Sequence, residues 1–478
     1  MKLSSLFTLF QWKVPLLAVT TVCLSVLSNS EIATAANNSN IKDIESMSAN
    51  NQMIAKLSTL DMFEQLQLEK QALRILAMPQ VQAQKVEAEK QFRASPLANV
   101  PDGESRIELA ANRFALAAVE NAILNDPARP KIMWVIDEAR DWFGVQYPAS
   151  AWGGKNPDNF SRDTVIDGES RYEITGQRSG SGPAQMTLML YSAFIGTDAH
   201  SVEGAPVIAS LVDSDMSFNA DGSYTITIGP EPATPGSNHL QSGPNAKFIH
   251  IRNAFSDWNT QTPDPLRIRR ISGPDAKPLR TDDEIAEFAA GLLKVQVPYW
   301  LNFFDKQAQN KTGESNSIDW FIARQGGWGY IATGMFHLQD DEALVVTVNS
   351  LNADYLSIQT SDVWSVTGDY IRHNVNLNKS QAKPNNDGSY TYVVAKSDPG
   401  VWNWADTVGM HDGGFTLRWQ GIKGGKVISH EDAIKDVRLL KIGNLKNNLP
   451  AETQWTAPEA RKKQLVDRET SYYRRLTN

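Results

Sequence analysis

Apolar and polar positions change rhythm along this chain. Residues 51–95 are rich in Leu, Gln, Glu, Lys and Ala, all good helix formers, and predict helix. A second helix is expected from Glu104 to about Asn125, where Ile107, Ala111, Phe114 and Ala118 recur on one face. Asp126-Pro127 should end it, because the residue before a proline avoids helical angles. After Pro148 the spacing shortens. Clusters of Gly, Asp, Pro and Ser punctuate alternating runs at Arg171–Gly176, Met186–Ile195, Tyr224–Ile228, Phe248–Arg252 and Leu266–Ile271. Further runs follow at Ala343–Val348, Tyr355–Gln359, Tyr390–Ala395 and Phe415–Trp419. Short strands with turn signals between them predict an antiparallel sandwich or barrel. A helix interrupts at Thr281, where Thr281 and Glu284 have capping-box spacing, Ile285, Phe288, Leu292, Tyr299 and Phe303 carry the apolar face, and Pro298 should kink it. A last helix is expected from Thr456, with Glu459 in a second capping box. Its basic residues Arg461, Lys462, Lys463, Arg474 and Arg475 read as a solvated face.

The strands repeat. Asp221-Gly222-Ser223-Tyr224-Thr225 recurs unchanged as Asp387-Gly388-Ser389-Tyr390-Thr391. Each string is followed 31 residues later by an arginine, Arg252 and Arg418, closing another strand-like run. A period near 166 residues predicts two copies of one β module. The layout expected is a signal peptide at 1–35, a helical region at 36–130, a first β module at 131–278, a helical connector at 279–320, a second β module at 321–425 and a tail with a helix at 426–478.

The N-terminus bears on compartment. Lys2 and Lys13 precede an apolar stretch from Val14 to Leu27, and Ala33-Thr34-Ala35 has the small-x-small pattern of a signal-peptidase site. Cleavage after Ala35 would leave a periplasmic or secreted protein, and no later stretch is apolar enough to span a membrane. It would shift the formal charge from −8 to about −9, since the segment carries Lys2, Lys13 and Glu31. That balance offers no basic surface for nucleic acid. The sole cysteine, Cys23, lies in the signal, so disulfides, thiol catalysis and cysteine metal sites are excluded from the mature chain. The seven His show no metal-ligand spacing, and no cofactor motif is convincing. Gly327-Trp328-Gly329-Tyr330-Ile331-Ala332 imitates a dinucleotide loop but reads as a glycine turn.

The densest chemistry runs from Asp398 to Trp419. Asp398-Pro399-Gly400 is strong turn chemistry and releases Trp402-Asn403-Trp404, followed by Asp406, His411 and Arg418. Aromatic faces interleaved with amide and carboxylate suit a sugar or lipid headgroup, so Trp402, Asn403 and Trp404 are candidate ligand contacts. The same residues would equally serve as a core plug whose Asp and Asn cap their own loop. The first module has a parallel in Arg252, Asp257 and Trp258, where Arg252 and Asp257 either pair with each other or face a ligand. Asn156-Pro157-Asp158-Asn159 reads as scaffold.

The Asp398-Pro399-Gly400, Asn403-Trp404, Asp406-Thr407 and Arg418-Trp419 combination resembles the C-terminal module of the bacterial family called domain of unknown function 1214. Asn156–Asn159 and the Arg252, Asp257, Trp258 string add to the resemblance, which covers roughly residues 150–425. Trp402 stands where that family often has a second proline. The resemblance implies tandem β-sandwiches similar to viral-coat jelly rolls, and no settled activity or catalytic set. The expected fold is therefore mainly β with flanking helices, as two tandem antiparallel jelly-roll-like β-sandwich modules. The expected function is binding of a carbohydrate or lipid-like ligand at the aromatic loops. One alternative is a hydrolase using Asp398, Asp406 and His411 with Arg418 as electrostatic stabiliser. Another is a non-catalytic assembly protein, with oligomeric state left open.

Overall fold

The computed structural model describes residues 61–477 apart from 179, 199, 202–203, 310–313, 319 and 424–426. The expected signal segment, 1–35, lies outside the described residues. Among the described residues no helix is long and apolar enough to cross a membrane.

The first sandwich begins with β1 (Met133–Trp134) and a small ribbon of β2 (Arg140–Trp142) and β3 (Val145–Tyr147). It continues with β4 (Asn159–Val165), β5 (Arg171–Gln177), β6 (Gln185–Tyr191), β7 (Val207–Val212), β8 (Ser223–Gly229), β9 (His239–Gln241), β10 (Phe248–Ala254) and β11 (Leu266–Ser272). A five-stranded sheet, β1-β4-β10-β6-β7, lies over a four-stranded one, β11-β5-β8-β9. Between them sits a core that includes Ile174, Leu188, Ile226, Ile249 and Ile251.

The second sandwich uses β12 (Trp320–Ala323), β13 (Gly329–His337), β14 (Glu342–Val348), β15 (Tyr355–Ser361), β16 (Asn376–Asn378), β17 (Tyr390–Ala395), β18 (Trp404–Asp406), β19 (Asp412–Gln420) and β20 (Ile434–Lys441). Its sheets run β12-β13-β19-β15-β16 and β18-β17-β14-β20. Strand for strand, these are the orders of the first sandwich. The repeated strings occupy equivalent turns. Gly222 and Gly388 take φ of +81° and +79°, a region open to glycine, and the Asp221 and Asp387 carboxylates each accept the amide of the serine two residues on at 2.9 Å.

Two expectations need correction and one needs a detail added. The sheets are antiparallel as expected, with a detail to add: the short pairs β8–β9 and β17–β18 run in parallel, because the loop joining each pair carries the chain back to its starting end. The second sandwich passes residue 425, since β20 pairs with β14. The glycine turn read at 327–332 is confined to Gly326 and Gly327, and β13 starts at Gly329.

Helices pack beside the sandwiches. They are α1 (Met62–Leu76), α2 (Pro79–Ala94), α3 (Ile107–Leu124), α4 (Asp282–Gln309) and α5 (Pro458–Thr477). The helix expected across 51–95 breaks at Met78-Pro79, where proline takes a first-turn position whose N–H needs no partner. Every residue from Arg113 to Leu124 is buried, so α3 is a core helix, and α4 packs on both α2 and α3. The Thr281–Glu284 capping box forms, with bonds of 2.8 and 3.2 Å. The one expected at Thr456 does not. Thr456 donates its amide to Gly400 at 2.9 Å, and α5 starts at Pro458. The basic face of α5 is also only partly solvated. Lys462 and Lys463 are exposed, but Arg461 is buried against Asp398 at 2.9 Å. Arg468 lies 4.5 Å over the Trp258 ring of the first sandwich and donates to the Tyr370 carbonyl of the second at 2.6 Å. Helix α5 is thus a strap across both copies.

Candidate functional site

Side chains alternate across a strand. On β10, Ile249 and Ile251 enter the first core, while His250 and Arg252 face outward. On β19, Phe415, Leu417 and Trp419 enter the second core, while Thr416, Arg418 and Gln420 face outward. These two outward faces line one cavity of about 170 Å³ between the sandwiches.

The cavity inverts the charge of the chain. The protein carries a formal −8, yet Lys155, Arg252, Arg324 and Arg418 line this space and no Asp or Glu among the described residues does. Arg418 donates to Gln359 Oε1 at 2.7 Å and to the Gly154 carbonyl at 3.1 Å. Burial pulls its guanidinium down to about 10. Tyr355 and Asp158 oppose that shift, while Arg324 and Arg252 add to it. The Arg324 and Arg252 guanidinium carbons lie 4.9 and 5.2 Å from the Trp328 ring centre.

Hydrogen-bond donors end here without acceptors. Arg252 Nη1, Trp300 Nε1 and Trp328 Nε1 are buried with no hydrogen-bond partner among the described residues, as is the Thr333 hydroxyl. Trp300, Trp328 and Thr333 are only 8 %, 7 % and 6 % exposed. Leaving a buried donor unsatisfied costs about 1–3 kcal/mol. All four residues line this space.

The loop at 152–159 builds the floor. Gly153 adopts φ +58°, and a Cβ there would lie 2.5 Å from the Trp300 ring carried by α4, so glycine lets the backbone lie on the indole. Lys155 Nζ donates to the Asn159 carbonyl at 2.8 Å and stands 3.6 Å from Asp137. Asp158 is fully buried. It accepts Trp258 Nε1 at 2.7 Å, and Tyr355 Oη, Asn376 Nδ2 and Asn378 Nδ2 at 2.8 Å each. One carboxylate of the first copy therefore satisfies three side chains of the second. Beside this floor, His250 Nδ1 meets Asp163 Oδ1 at 2.5 Å, with both residues buried.

The candidates named from sequence separate. Arg252 and Arg418 share the cavity. Asp398 pairs with Arg461, Asp406 with His373 at 2.9 Å, and His411 stands 3.2 Å from Asp340, so these three line other surfaces. Among the described residues Asn403 bonds backbone alone: its amide nitrogen reaches the Lys383 and Thr391 carbonyls at 2.8 and 2.9 Å, and its oxygen accepts the Lys383 amide at 2.8 Å. Trp404 is buried, with its indole N–H on the Ala395 carbonyl at 2.9 Å. Asp257 does not pair with Arg252. It accepts the Asn259 amide at 2.8 Å and the Thr260 hydroxyl at 2.9 Å. Asp257, Trp258 and Trp402 do converge, at a second cavity of about 220 Å³ beneath α5. Sequence reasoning missed His250, Asp163, Lys155, Arg324, Trp300 and Trp328. The one available signal was Phe248-Ile249-His250-Ile251-Arg252, whose polar residues alternate with isoleucines.

Among the described residues no group of three or more His, Cys, Asp or Glu is placed to hold a metal ion. The family model described as Protein of unknown function (DUF1214) matches residues 158–256, from the buried Asp158 through β10. The match thus falls on the first sandwich and takes in Asp158, Asn159 and Arg252, while the Asp398–Trp419 motif of the resemblance lies in the second. No curated protein matches the chain. Among solved structures, an uncharacterised protein from Burkholderia cenocepacia is similar in fold, with a TM-score of 0.62 at 21 % identity over 78 % of this chain and 100 % of that one. The VPA0106 protein from Vibrio parahaemolyticus aligns at 10 % identity over 60 % of this chain and 90 % of that one, with a TM-score of 0.36.

Proposed function

We propose that this protein binds a small anionic molecule with an apolar body in the cavity between its sandwiches. The observation that supports this most is the set of buried donors without acceptors, Arg252 Nη1, Trp300 Nε1, Trp328 Nε1 and Thr333 Oγ1, in a space lined by cations and by no carboxylate among the described residues. A carboxylate, phosphate or sulfate would satisfy those donors and the crowded guanidinium groups together. The indole walls would cover the apolar part. This moves the expected ligand away from the 402–404 loop, where the Asn403 side chain is already consumed by backbone. On the Lys13-to-Ala35 pattern, the protein would act outside the cytoplasm.

Calorimetric titration with phenyl phosphate and phenylacetate, against uncharged benzyl alcohol, tests the reading. The two anions should bind and the alcohol should not. Arg252→Gln is the clean variant, since its Nη1 has no described protein partner, and it should weaken anion binding about 10- to 100-fold, the worth of one charge-assisted hydrogen bond. Equal affinity for anion and alcohol would sink the proposal.

A further inference from the structure

The two copies differ at several matched positions around the cavity, and one of these differences places titratable groups there. Arg252 on β10 and Arg418 on β19 are equivalent by the repeat, so His250 corresponds to Thr416. Across the neighbouring strand, His250 faces Asp163 and Thr416 faces Thr333. The second sandwich has two threonines at the equivalent positions of the same strand pair. A buried imidazole–carboxylate pair is therefore no requirement of this fold. The first sandwich places one there, on the face that lines the cavity.

We propose that the cavity is a catalytic site in which His250 is the general base and Asp163 its positioning residue. This inference rests on the anion-site reading above. With Nδ1 committed to Asp163, Nε2 is the ring nitrogen left for a ligand. Burial, then the charges of Arg252 and Lys155, holds His250 well below the usual imidazole range. In the proposed dyad the Asp163 carboxylate accepts from Nδ1–H, and this tautomer leaves the imidazole lone pair on Nε2.

An imidazole removes a proton effectively only where the electrons left behind reach a stabilised oxygen. The unpartnered donors and guanidinium groups are the stabilisers this cavity supplies. The substrate class is thus a carbonyl compound with an acidic C–H, an anionic end and an apolar tail, as in an aryl 2-oxo acid. The C3–H bond breaks and its proton goes to His250 Nε2. The electron pair forms the C2–C3 double bond and moves the carbonyl pair onto oxygen, giving an enolate. Return of a proton from Nε2 to C3 or to the oxygen completes a keto–enol exchange with no co-reactant.

The test uses the full chain and phenylpyruvate in heavy water, following loss of the C3 protons by NMR while affinity is measured separately. Wild type should accelerate exchange by about 10²-fold or more over buffer, the usual contribution of a positioned base. His250→Gln should bind phenylpyruvate within a few-fold of wild type and lose the acceleration, and Asp163→Asn should retain only a small part of it. Saturating phenyl phosphate should block exchange in wild type, an arm that needs no variant to fold. Binding without accelerated exchange would overturn the base assignment and leave the anion site standing. Exchange that persists in His250→Gln, or with the cavity filled, would overturn it as well. Failure of both phenylpyruvate and phenyl phosphate to bind would remove the anion site itself.

Discussion

Single residues here are governed by what surrounds them more than by their type. Glu120 is an ordinary glutamate on a helix that is wholly buried at that point, and only the Tyr147 hydroxyl at 2.9 Å and a few weaker partners face it. Burial raises its carboxyl to about 7, against lowering by Arg140, Ser150 and Tyr147. An unfolded glutamate titrates near ~4.3. Between those values the native chain keeps a proton that the unfolded chain has released. The associated stability is fully present below the unfolded value and is lost as pH rises toward about 7. Glu120→Gln should therefore unfold in urea with a shallower loss between pH 5 and pH 8. The difference from wild type should be on the order of 2 kcal/mol, because each tenfold gain in proton affinity on folding is worth ~1.4 kcal/mol. Equal slopes for the two proteins would show that Glu120 is ionised in the fold. Asn403 teaches the same lesson in reverse. Its type suits a ligand site, but its position consumes every polar atom in bonds to Lys383 and Thr391.

At the scale of elements, turn chemistry was legible and strand faces were not. The Asp-Gly-Ser turns, the Thr281 capping box and the self-capped Asp398 turn follow from local rules, and all occur. Strand β4 escaped notice because Asn159–Val165 buries Asn, Ser, Arg, Asp and Thr, a composition that reads as loop. The 152–159 loop shows how an element becomes part of a site. Its glycine lies against Trp300, so Gly153→Ala must both hold a side chain at φ +58° and displace the indole. The substitution should cost about 1–3 kcal/mol of stability. It should also weaken phenyl phosphate binding several-fold, because Trp300 lines the cavity. Thermal melting and titration of this variant check both effects. An unchanged melting temperature with unchanged affinity would mean that the loop is not held on the indole.

Over the whole molecule, two copies of one sandwich are joined by more than a linker. Asp158 of the first copy accepts hydrogen bonds from Tyr355, Asn376 and Asn378 of the second, and α5 bonds to both. Separating the copies would strand those buried groups, so they should melt together. Scanning calorimetry should show one cooperative transition for the wild type. Asp158→Ala should lower stability by about 3 kcal/mol or more, since several donors lose their acceptor at once. Two resolved transitions in the wild type would show that the sandwiches are energetically independent.

The repeated strings and the alternation after Pro148 by themselves determined that β modules occur twice, because strand period and turn preference are properties of neighbouring residues. They also marked Arg252 and Arg418 as equivalent. Only the tertiary structure decided that these arginines meet. An outward face of a strand reads as polar whether it meets water or another sheet, and nothing local records what lies opposite. Packing the copies face to face, with α4 alongside and α5 strapped across, turned two solvent-like faces into one buried cationic cavity. For the same reason the aromatic loop at 402–404, conspicuous in the sequence, closed on its own backbone, while His250 and Asp163, separated by 87 positions, became neighbours.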